Sequence, residues 1–250
     1  MNSLLVTRDR GIATVTLSRG KVNAINEAFV EELDGCFKQL RTDPEVKAIL
    51  LTGQGKFFSF GFDIPEFLSY SKEQFIRYLM KFTRFYKDLF LFEKPVVAAL
   101  NGHTVAGGCM IANACDCRLM VAGKARISLN EITFGSSVFA GSVEILKYQV
   151  GARAAESILY SGAMYSAEEA LRLGLVDRTC SEEALMEEAV KAAVDLGGKD
   201  GSAFRAIKHL LRRPVADEFL KREKDTILQF VDIWYSESTW RKLQEIKIRA

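Results

Sequence analysis

Residues 95–118 constrain the fold more than any other stretch of this chain. They read Pro-Val-Val-Ala-Ala-Leu-Asn-Gly-His-Thr-Val-Ala-Gly-Gly-Cys-Met-Ile-Ala-Asn-Ala-Cys-Asp-Cys-Arg. An apolar strand, Val96 to Leu100, leads through the glycine pair Gly107-Gly108 into an apolar helix start. Glycines between a strand and a helix let backbone come close to a neighbour or a ligand. The first N–H groups of the helix have no partner inside it and favour negative charge. Such a turn can hold a developing oxyanion, which points to chemistry on a carbonyl. Taken alone, it reads equally as tight packing.

A second stretch makes the same offer. Residues 57–63, Phe-Phe-Ser-Phe-Gly-Phe-Asp, follow the apolar run Ala48–Thr52 and the link Gly53-Gln54-Gly55. One backbone donor from each loop would make an oxyanion hole of two amides.

The surrounding pattern alternates strands and helices. Leu4–Thr7 and Ile12–Leu17 read as a hairpin turning at Asp9-Arg10-Gly11. Asn26 predicts an N-cap, with Phe29, Val30, Leu33, Phe37 and Leu40 at helical spacing until Asp43-Pro44. Strands are predicted over 46–52, 96–100, 117–121 and 126–128. Helices are predicted from Ser71 to about Phe92 and over 108–114. The alternation argues for an α/β layered core with parallel strands. Further along, 152–160, 166–173, 182–196, 203–211 and 215–245 all read helical, and Glu144 falls in a helix after the second loop. The division is therefore an α/β core at 1–195 and a helical region at 196–250.

With 250 residues the chain can bury a sizeable core without staples. Its 34 basic and 32 acidic residues leave a net charge of +2, which offers no general electrostatic footprint for nucleic acid. Basic clusters at 208–213 and 241–249 read either as solvated helix faces or as contacts for a phosphate-bearing ligand. The five cysteines are odd in number and lack CxxC spacing, which argues against zinc and against a disulfide framework. Reduced thiols in a cytoplasmic protein are the expectation. No apolar run reaches the ~20 residues that span a bilayer. The N-terminus lacks the basic start and apolar run of a secretory signal, and Lys-Ile-Arg-Ala at the end is not a peroxisomal address.

Both loops resemble those of the enoyl-CoA hydratase/isomerase (crotonase) superfamily. Phe58-Ser59-Phe60-Gly61-Phe62-Asp63-Ile64 is similar to the family's F-S-A-G-A-D-hydrophobic loop. Asn101 to Ala112, then Cys115-Asp116, is similar to N-G-x-A-x-G-G-G-C-x-hydrophobic-A followed by C-D. Val22-Asn23-Ala24-Ile25-Asn26, Tyr160-Ser161-Gly162, Ala167-Glu168-Glu169-Ala170 and Gly174-Leu175-Val176 fit in order. The site pattern is most similar to that of Δ3,Δ2-enoyl-CoA isomerases. The resemblance implies an α/β fold, a crotonase-like spiral of ββα units. It further implies a C-terminal helical region that forms a trimer interface and helps wall the active site. The assembly implied is a homotrimer or a dimer of trimers. The partner implied is an acyl-CoA or other pantetheine thioester. Coenzyme A comes as part of the substrate, and no separate cofactor or metal is implied.

Carried over residue by residue, the resemblance makes the N–H groups of Phe62 and Gly107 the donors to a thioester enolate oxygen. It implies substrate contacts at Ala24, Phe60, Asp63, Ile64, His103, Met110 and Phe139. Lys21, Lys56 and the basic C-terminal helix are its candidates for the coenzyme A phosphates.

Family hydratases hold two glutamates around the thioester. The first position is Met110 here, and a thioether cannot take a proton as a carboxylate does. The second falls in Leu129-Asn130-Glu131-Ile132, on Glu131. One carboxylate beside an oxyanion hole is enough to shuttle a proton between two carbons, so the resemblance implies Δ3→Δ2 isomerisation with Glu131 as general acid and base. Burial near Met110, Ile132, Phe134 and Phe139 would raise its pKa toward working pH. Hydratase, decarboxylase or thioester-hydrolase chemistry of the polyketide-branching type, and a non-catalytic acyl-CoA-binding subunit, stay open at this stage.

Asp63 and Asp116 read as residues that fix loops. Glu144 could replace the missing carboxylate if its helix turns inward. His103 reads as a buried, hydrogen-bonded histidine rather than a catalytic one. Phe60 and Phe62 stand where the family has small residues. Ala106 replaces the first glycine of its triplet, which is harmless if the φ of Ala106 is negative.

Overall fold

The computed structural model describes residues 3–246. Lys247 and Arg249, which end the 241–249 basic cluster, lie outside the described residues, as does the last position, Ala250.

The chain opens with the expected hairpin. β1 (Leu4–Asp9) pairs antiparallel with β2 (Ile12–Leu17), Leu4 facing Leu17. Arg10 and Gly11 both have positive φ, 46° and 78°, as a tight hairpin turn requires. Asn26 caps α1 (Glu27–Thr42) by accepting the Phe29 N–H at 3.0 Å, and the five predicted apolar residues form its buried face.

β3 (Ala48–Gly53), β4 (Phe57–Ser59), α2 (Ile64–Phe67) and α3 (Lys72–Phe90) follow. Ser71 and Gln74 form a reciprocal capping box at the start of α3. Next come β5 (Val96–Leu100), β6 (His103–Val105) and α4 (Gly107–Ala114). The third repeat is β7 (Cys117–Val121), β8 (Ile127–Ser128), a 3₁₀ turn at Glu131–Phe134, α5 (Ala140–Val150) and α6 (Ala152–Ser161). α7 (Ala167–Leu173), β9 (Arg178–Cys180) and α8 (Leu185–Gly197) complete the core.

Two sheets result. The large one has the order β1-β2-β3-β5-β7-β9, and the small one is β4-β6-β8. Each repeat lays one strand in the large sheet, the next in the small sheet, and then a helix. This is the expected spiral of ββα units. All five residues of β5 are buried, consistent with a parallel strand covered on both faces.

The crossings between sheets depend on close backbone approach. A Cβ at Gly53 would stand 2.3 Å from the Phe57 carbonyl oxygen, and one at Gly102 would stand 2.1 Å from that of Lys56. Asn101 ties the crossing, accepting the Gly53 N–H and donating to the Gly55 carbonyl, each at 2.9 Å. The short strands β4 and β6 were not expected from the sequence.

The C-terminal helices depart from expectation. α9 (Gly201–Leu220) runs straight through Pro214. The helix breaks come later, separating α10 (Glu223–Trp234) and α11 (Glu237–Glu245). Proline deletes one helical donor and crowds the carbonyl four residues before it. The turn before it is pinned by Lys208 Nζ at 2.7 Å and Arg212 at 3.0 Å from the Asp116 carboxylate, which holds the helix across the defect. α9 and α10 pack on α5, and α10 also on α3. Among the described residues no helix is long and apolar enough to cross a membrane.

Candidate active site

The first loop is placed by a single bridge. Ile25 donates to the Gly61 carbonyl at 2.7 Å and accepts the Asp63 N–H at 3.0 Å. The Phe62 N–H between them is left off the ladder. Gly61 has φ +94°, and a Cβ there would meet the Val105 oxygen at 2.8 Å and the Gly107 nitrogen at 3.0 Å. Only glycine lets the two loops lie this close.

Buried polar groups brace this loop. Asn23 donates to the carbonyls of Gln54, Phe57 and Phe58 and accepts the Arg19 N–H. Ser59 Oγ donates to the Asn23 carbonyl and accepts the Gly61 N–H. Asp63 accepts the Glu66 N–H at the start of α2 and pairs with Arg19 Nη1 at 2.7 Å. Its loop-fixing reading matches this placement, and Asp63 is absent from the cavity wall described below.

The second loop turns at Ala106. Its N–H donates to Ser128, and its carbonyl accepts from Met110. Its φ is +48° and its ψ −119°, so the condition under which alanine would be harmless here, a negative φ, is not met. The turn from β6 into α4 requires this conformation, and an alanine there stores about 1–3 kcal/mol of strain. Gly107 then opens α4. Among the described residues neither the Gly107 N–H nor the Phe62 N–H has a hydrogen-bond acceptor.

Between the loops lies a cavity of about 280 Å³. Phe60, Phe62, Ile64, Ala106 and Met110 line one side, and Asn130, Glu131 and Phe134 another. Phe230, Trp234 and Ile246 close it from the C-terminal region. The Phe62 ring does not fill the space. It stands edge-on to Tyr78 at 5.3 Å and to Phe82 at 4.9 Å, in the aromatic face of α3. Phe60 leans on Phe57 at 5.9 Å.

Glu131 is the first residue of the 3₁₀ turn and only 6% exposed. Its Oε2 has no hydrogen-bond partner among the described residues. Burial raises its pKa to about 7, partly opposed by a bond from its own backbone. Met110, 1% exposed, lines the same cavity.

Besides Asp63, three expected contacts and the alternative carboxylate Glu144 fall elsewhere. Ala24 is buried, with its carbonyl engaged by Arg19 Nη1 at 2.8 Å, and is absent from the cavity wall. Phe139 sits one layer behind, between Phe82 and Phe230 in the core. The His103 ring packs on Phe57 at 5.1 Å, outside the cavity, where burial and then Arg126 lower its pKa. Glu144 is paired with Lys147 and Arg222, so its helix does not turn it inward.

Other contributions had no local signal in the sequence. Glu223 is buried, its Oε2 accepts the Gly141 N–H at 2.7 Å, and burial lifts its pKa to about 7. Thr226 Oγ1 accepts the Ala140 N–H at 3.0 Å. Together they cap α5 from more than eighty positions away. Phe230 and Trp234, on the same helix, fall in the span 215–245, of which the sequence predicts only that it is helical.

Phe62 and a carboxyl that titrates near neutrality line one apolar cavity, and Gly107, with the second unpartnered amide, follows Ala106 of its wall; such a set suits a particular reaction class. A carbonyl oxygen gains charge while a neighbouring carbon loses a proton.

Comparison with known proteins gives the family. Residues 7–238 match the model of the family described as enoyl-CoA hydratase/isomerase. The short-chain-enoyl-CoA hydratase of Clostridium acetobutylicum is 31% identical over 215 residues, 85% of this chain and 82% of the relative. The 2,3-dehydroadipyl-CoA hydratase of Escherichia coli is 31% identical over 217 residues, 85% of this chain and 83% of the relative. The solved structure of human mitochondrial delta3-delta2-enoyl-CoA isomerase superposes with a TM-score of 0.92 at 27% identity, covering 97% of this chain and 96% of that one. In fold, in loop geometry and over most of its length, this chain belongs to the enoyl-CoA hydratase/isomerase family of the crotonase superfamily.

Proposed function

We propose that the protein shifts the double bond of an enoyl-CoA from Δ3 to Δ2, with Glu131 as its one proton carrier. The observation that carries this reading is the cavity's polarity. Glu131 is the single carboxylate among the described residues that line it, and Met110 occupies the other side.

In this reading the thioester oxygen sits between the amides of Phe62 and Gly107. The Glu131 carboxylate removes a proton from C2, and the electron pair moves onto the oxygen as the enolate forms. The resulting carboxylic acid delivers the proton to C4. The electrons return from oxygen, leaving C2=C3 in place of C3=C4. The amides act on charge that exists only along the reaction path, so they favour the transition state over the bound substrate. One such donor is worth about 2.7–4 kcal/mol in comparable sites. A carboxyl near pKa 7 is a stronger base than one at its ordinary 4.5, while still able to return the proton.

Coenzyme A is part of the substrate in this scheme. The protein works in the cytoplasm as a homotrimer or dimer of trimers, and exposed Ile207, Leu210 and Leu211 on α9 support such an assembly. The hydratase names of the relatives favour a second reading, hydration of a 2-enoyl-CoA. That reaction requires a held water, for which Met110 offers no carboxylate.

The test is turnover of 3-enoyl-CoA and 2-enoyl-CoA by the native chain and by Glu131→Gln. Interconversion of double-bond positions with little 3-hydroxyacyl-CoA is expected, together with a loss of roughly 10²–10⁴-fold in the variant. Undiminished isomerisation by Glu131→Gln would remove the residue from its role. Dominant 3-hydroxyacyl-CoA formation would establish the hydratase.

A further inference from the structure

Two hydrogen bonds tie the segment joining α10 to α11 to two different turns at the cavity. Tyr235, which follows α10, donates its hydroxyl to the Tyr70 carbonyl at 2.6 Å. Thr239, in the first turn of α11, donates its hydroxyl to the Gly135 carbonyl at 2.7 Å. Trp234 and Ile246, which flank this segment in sequence, line the cavity. Each acceptor belongs to a compact turn that carries one part of the proposed machinery. Tyr70 donates its N–H to the carbonyl of Phe67, the last residue of α2. α2 begins at Ile64 and is capped by Asp63, the neighbour of Phe62. Gly135 closes the 3₁₀ turn that Glu131 opens: its N–H donates to the Glu131 and Ile132 carbonyls, and the Ser136 N–H reaches the Glu131 carbonyl at 3.0 Å. One short segment therefore spans from the turn after the Phe62 amide to the turn of the Glu131 carboxyl.

Both ends are closely fitted. Thr239 is 1% exposed. Gly135 has φ +84°, and a Cβ there would stand 3.1 Å from Thr239 Oγ1, so glycine permits the approach. At the other end the Tyr235 ring stacks on Trp240 at 4.9 Å. Burial, and then Glu73, raises the Tyr235 pKa, which keeps its hydroxyl a donor. Removing a proton from a thioester held by the amides, and returning it, requires base and donors at a set separation, since reacting atoms must lie about 3–3.5 Å apart. Phe62 and Glu131 stand on different turns of the chain, far apart in sequence, and the anchored segment joins those turns directly.

We propose that Tyr235 and Thr239 are positioning residues, the two ends of a strap that sets the separation of the Glu131 carboxyl from the Phe62 amide. This rests on the reading of those groups as the base and an oxyanion donor. It goes beyond that reading by giving two hydroxyls of the C-terminal helices a part in the geometry of the chemical step.

The test is steady-state turnover of 3-enoyl-CoA by the native chain, Tyr235→Phe, Thr239→Val, Thr239→Ser and the double variant Tyr235→Phe with Thr239→Val. Phenylalanine keeps the ring and valine keeps the side-chain shape, so each removes one donor; thermal melts check that all are folded. Tyr235→Phe and Thr239→Val are each expected to lower kcat by about 10- to 100-fold with KM within about threefold, the scale of a misplacement near 1 Å. A strap released at either end no longer sets the span, so the double variant should fall within about twofold of the worse single one. Thr239→Ser keeps the donor and should stay close to the native kcat. Unchanged kcat in both folded single variants overturns the proposal. So do losses that multiply in the double variant, which would mark two separate local effects. A raised KM at native kcat overturns it as well, by making the segment part of the binding wall alone. Thr239→Ser as impaired as Thr239→Val overturns it too, because the methyl group and not the donor would then matter. Native hydration of 2-enoyl-CoA without isomerisation removes only the isomerase assignment, since kcat for that reaction, measured on the same variants, reads the same separation. A native chain that turns over neither ester removes the reading of the site and the strap with it.

Discussion

The Phe62 ring packs so close to Gly107 that a methyl group on that glycine would stand 3.0 Å from two ring carbons. The residues that offer the two free amides are therefore in mutual contact. Substituting Gly107→Ala pushes Phe62 against Tyr78 and Phe82, which surround its ring at 5.3 Å and 4.9 Å. Relief moves one amide or both. Misplacement near 1 Å costs up to about 100-fold in rate. The expected result is a kcat lowered by about 10- to 100-fold, with KM within about threefold. Steady-state kinetics checks it, and a kcat equal to the native value would contradict the proposed hole.

Ala106 carries the strain of the second loop at φ +48°. Ala106→Gly removes the Cβ clash while adding freedom to the unfolded chain, and at a positive φ the first effect is larger. The variant is expected to gain about 1 kcal/mol of stability. Urea denaturation checks the gain. A loss would mean that the alanine methyl contributes more by packing in the cavity wall than its backbone costs.

The loop sequences made both amides legible because each proposed role resides in backbone geometry enforced by glycine, and glycine is visible in a sequence. Glu131 was legible through its place in Leu129-Asn130-Glu131-Ile132. Phe230, Trp234 and Ile246 were not, since they reach the cavity from a region more than a hundred positions after the first loop. The predicted helices at 203–211 and 215–245 misplaced the breaks, since α9 continues through Pro214. The Asp116 contacts that override it are long-range and leave no local trace. His103 and Phe139 were drawn toward the cavity by position in sequence, yet a strand and a helix cap turn them into packing.

Asp116 is the hub of a buried ionic cluster. Its Oδ2 accepts the Val96 N–H at 2.8 Å and Lys208 Nζ at 2.7 Å, while Oδ1 faces Arg212 at 3.0 Å. Burial lowers the Lys208 pKa to about 8, which still leaves it charged at neutral pH. Asp116→Ala strands two buried cations and frees the start of β5. A destabilisation of about 3–5 kcal/mol is expected from breaking such a pair on one side. Chemical denaturation measures it. A cost below 1 kcal/mol would show that the cluster contributes little to holding α9 on the core.

The pKa of Glu131 ties stability and activity to one titration. Its folded value of about 7 lies above the ordinary 4.5, so the folded protein holds this proton more tightly than the unfolded chain. The associated stabilisation is full below about pH 4 and is lost as pH rises through 7. At pH 8 the buried carboxylate costs about 3 kcal/mol relative to its protonated form. Glu131→Gln, which cannot ionise, should therefore be more stable than the native chain at pH 8, with the advantage shrinking toward zero at pH 4. Glu223 is also raised to about 7, but it is present in both proteins and cancels in the difference. Activity runs the other way, because removing the C2 proton requires the carboxylate. kcat/KM should rise with unit slope up to about pH 7 and then level off, reporting the free enzyme. Urea midpoints of both proteins at pH 4 and pH 8, with the native kcat/KM profile, test the two trends together. A stability gap that does not change with pH, or a kcat/KM that falls between pH 5 and 7, would mean that the buried carboxyl titrates elsewhere and is not the base.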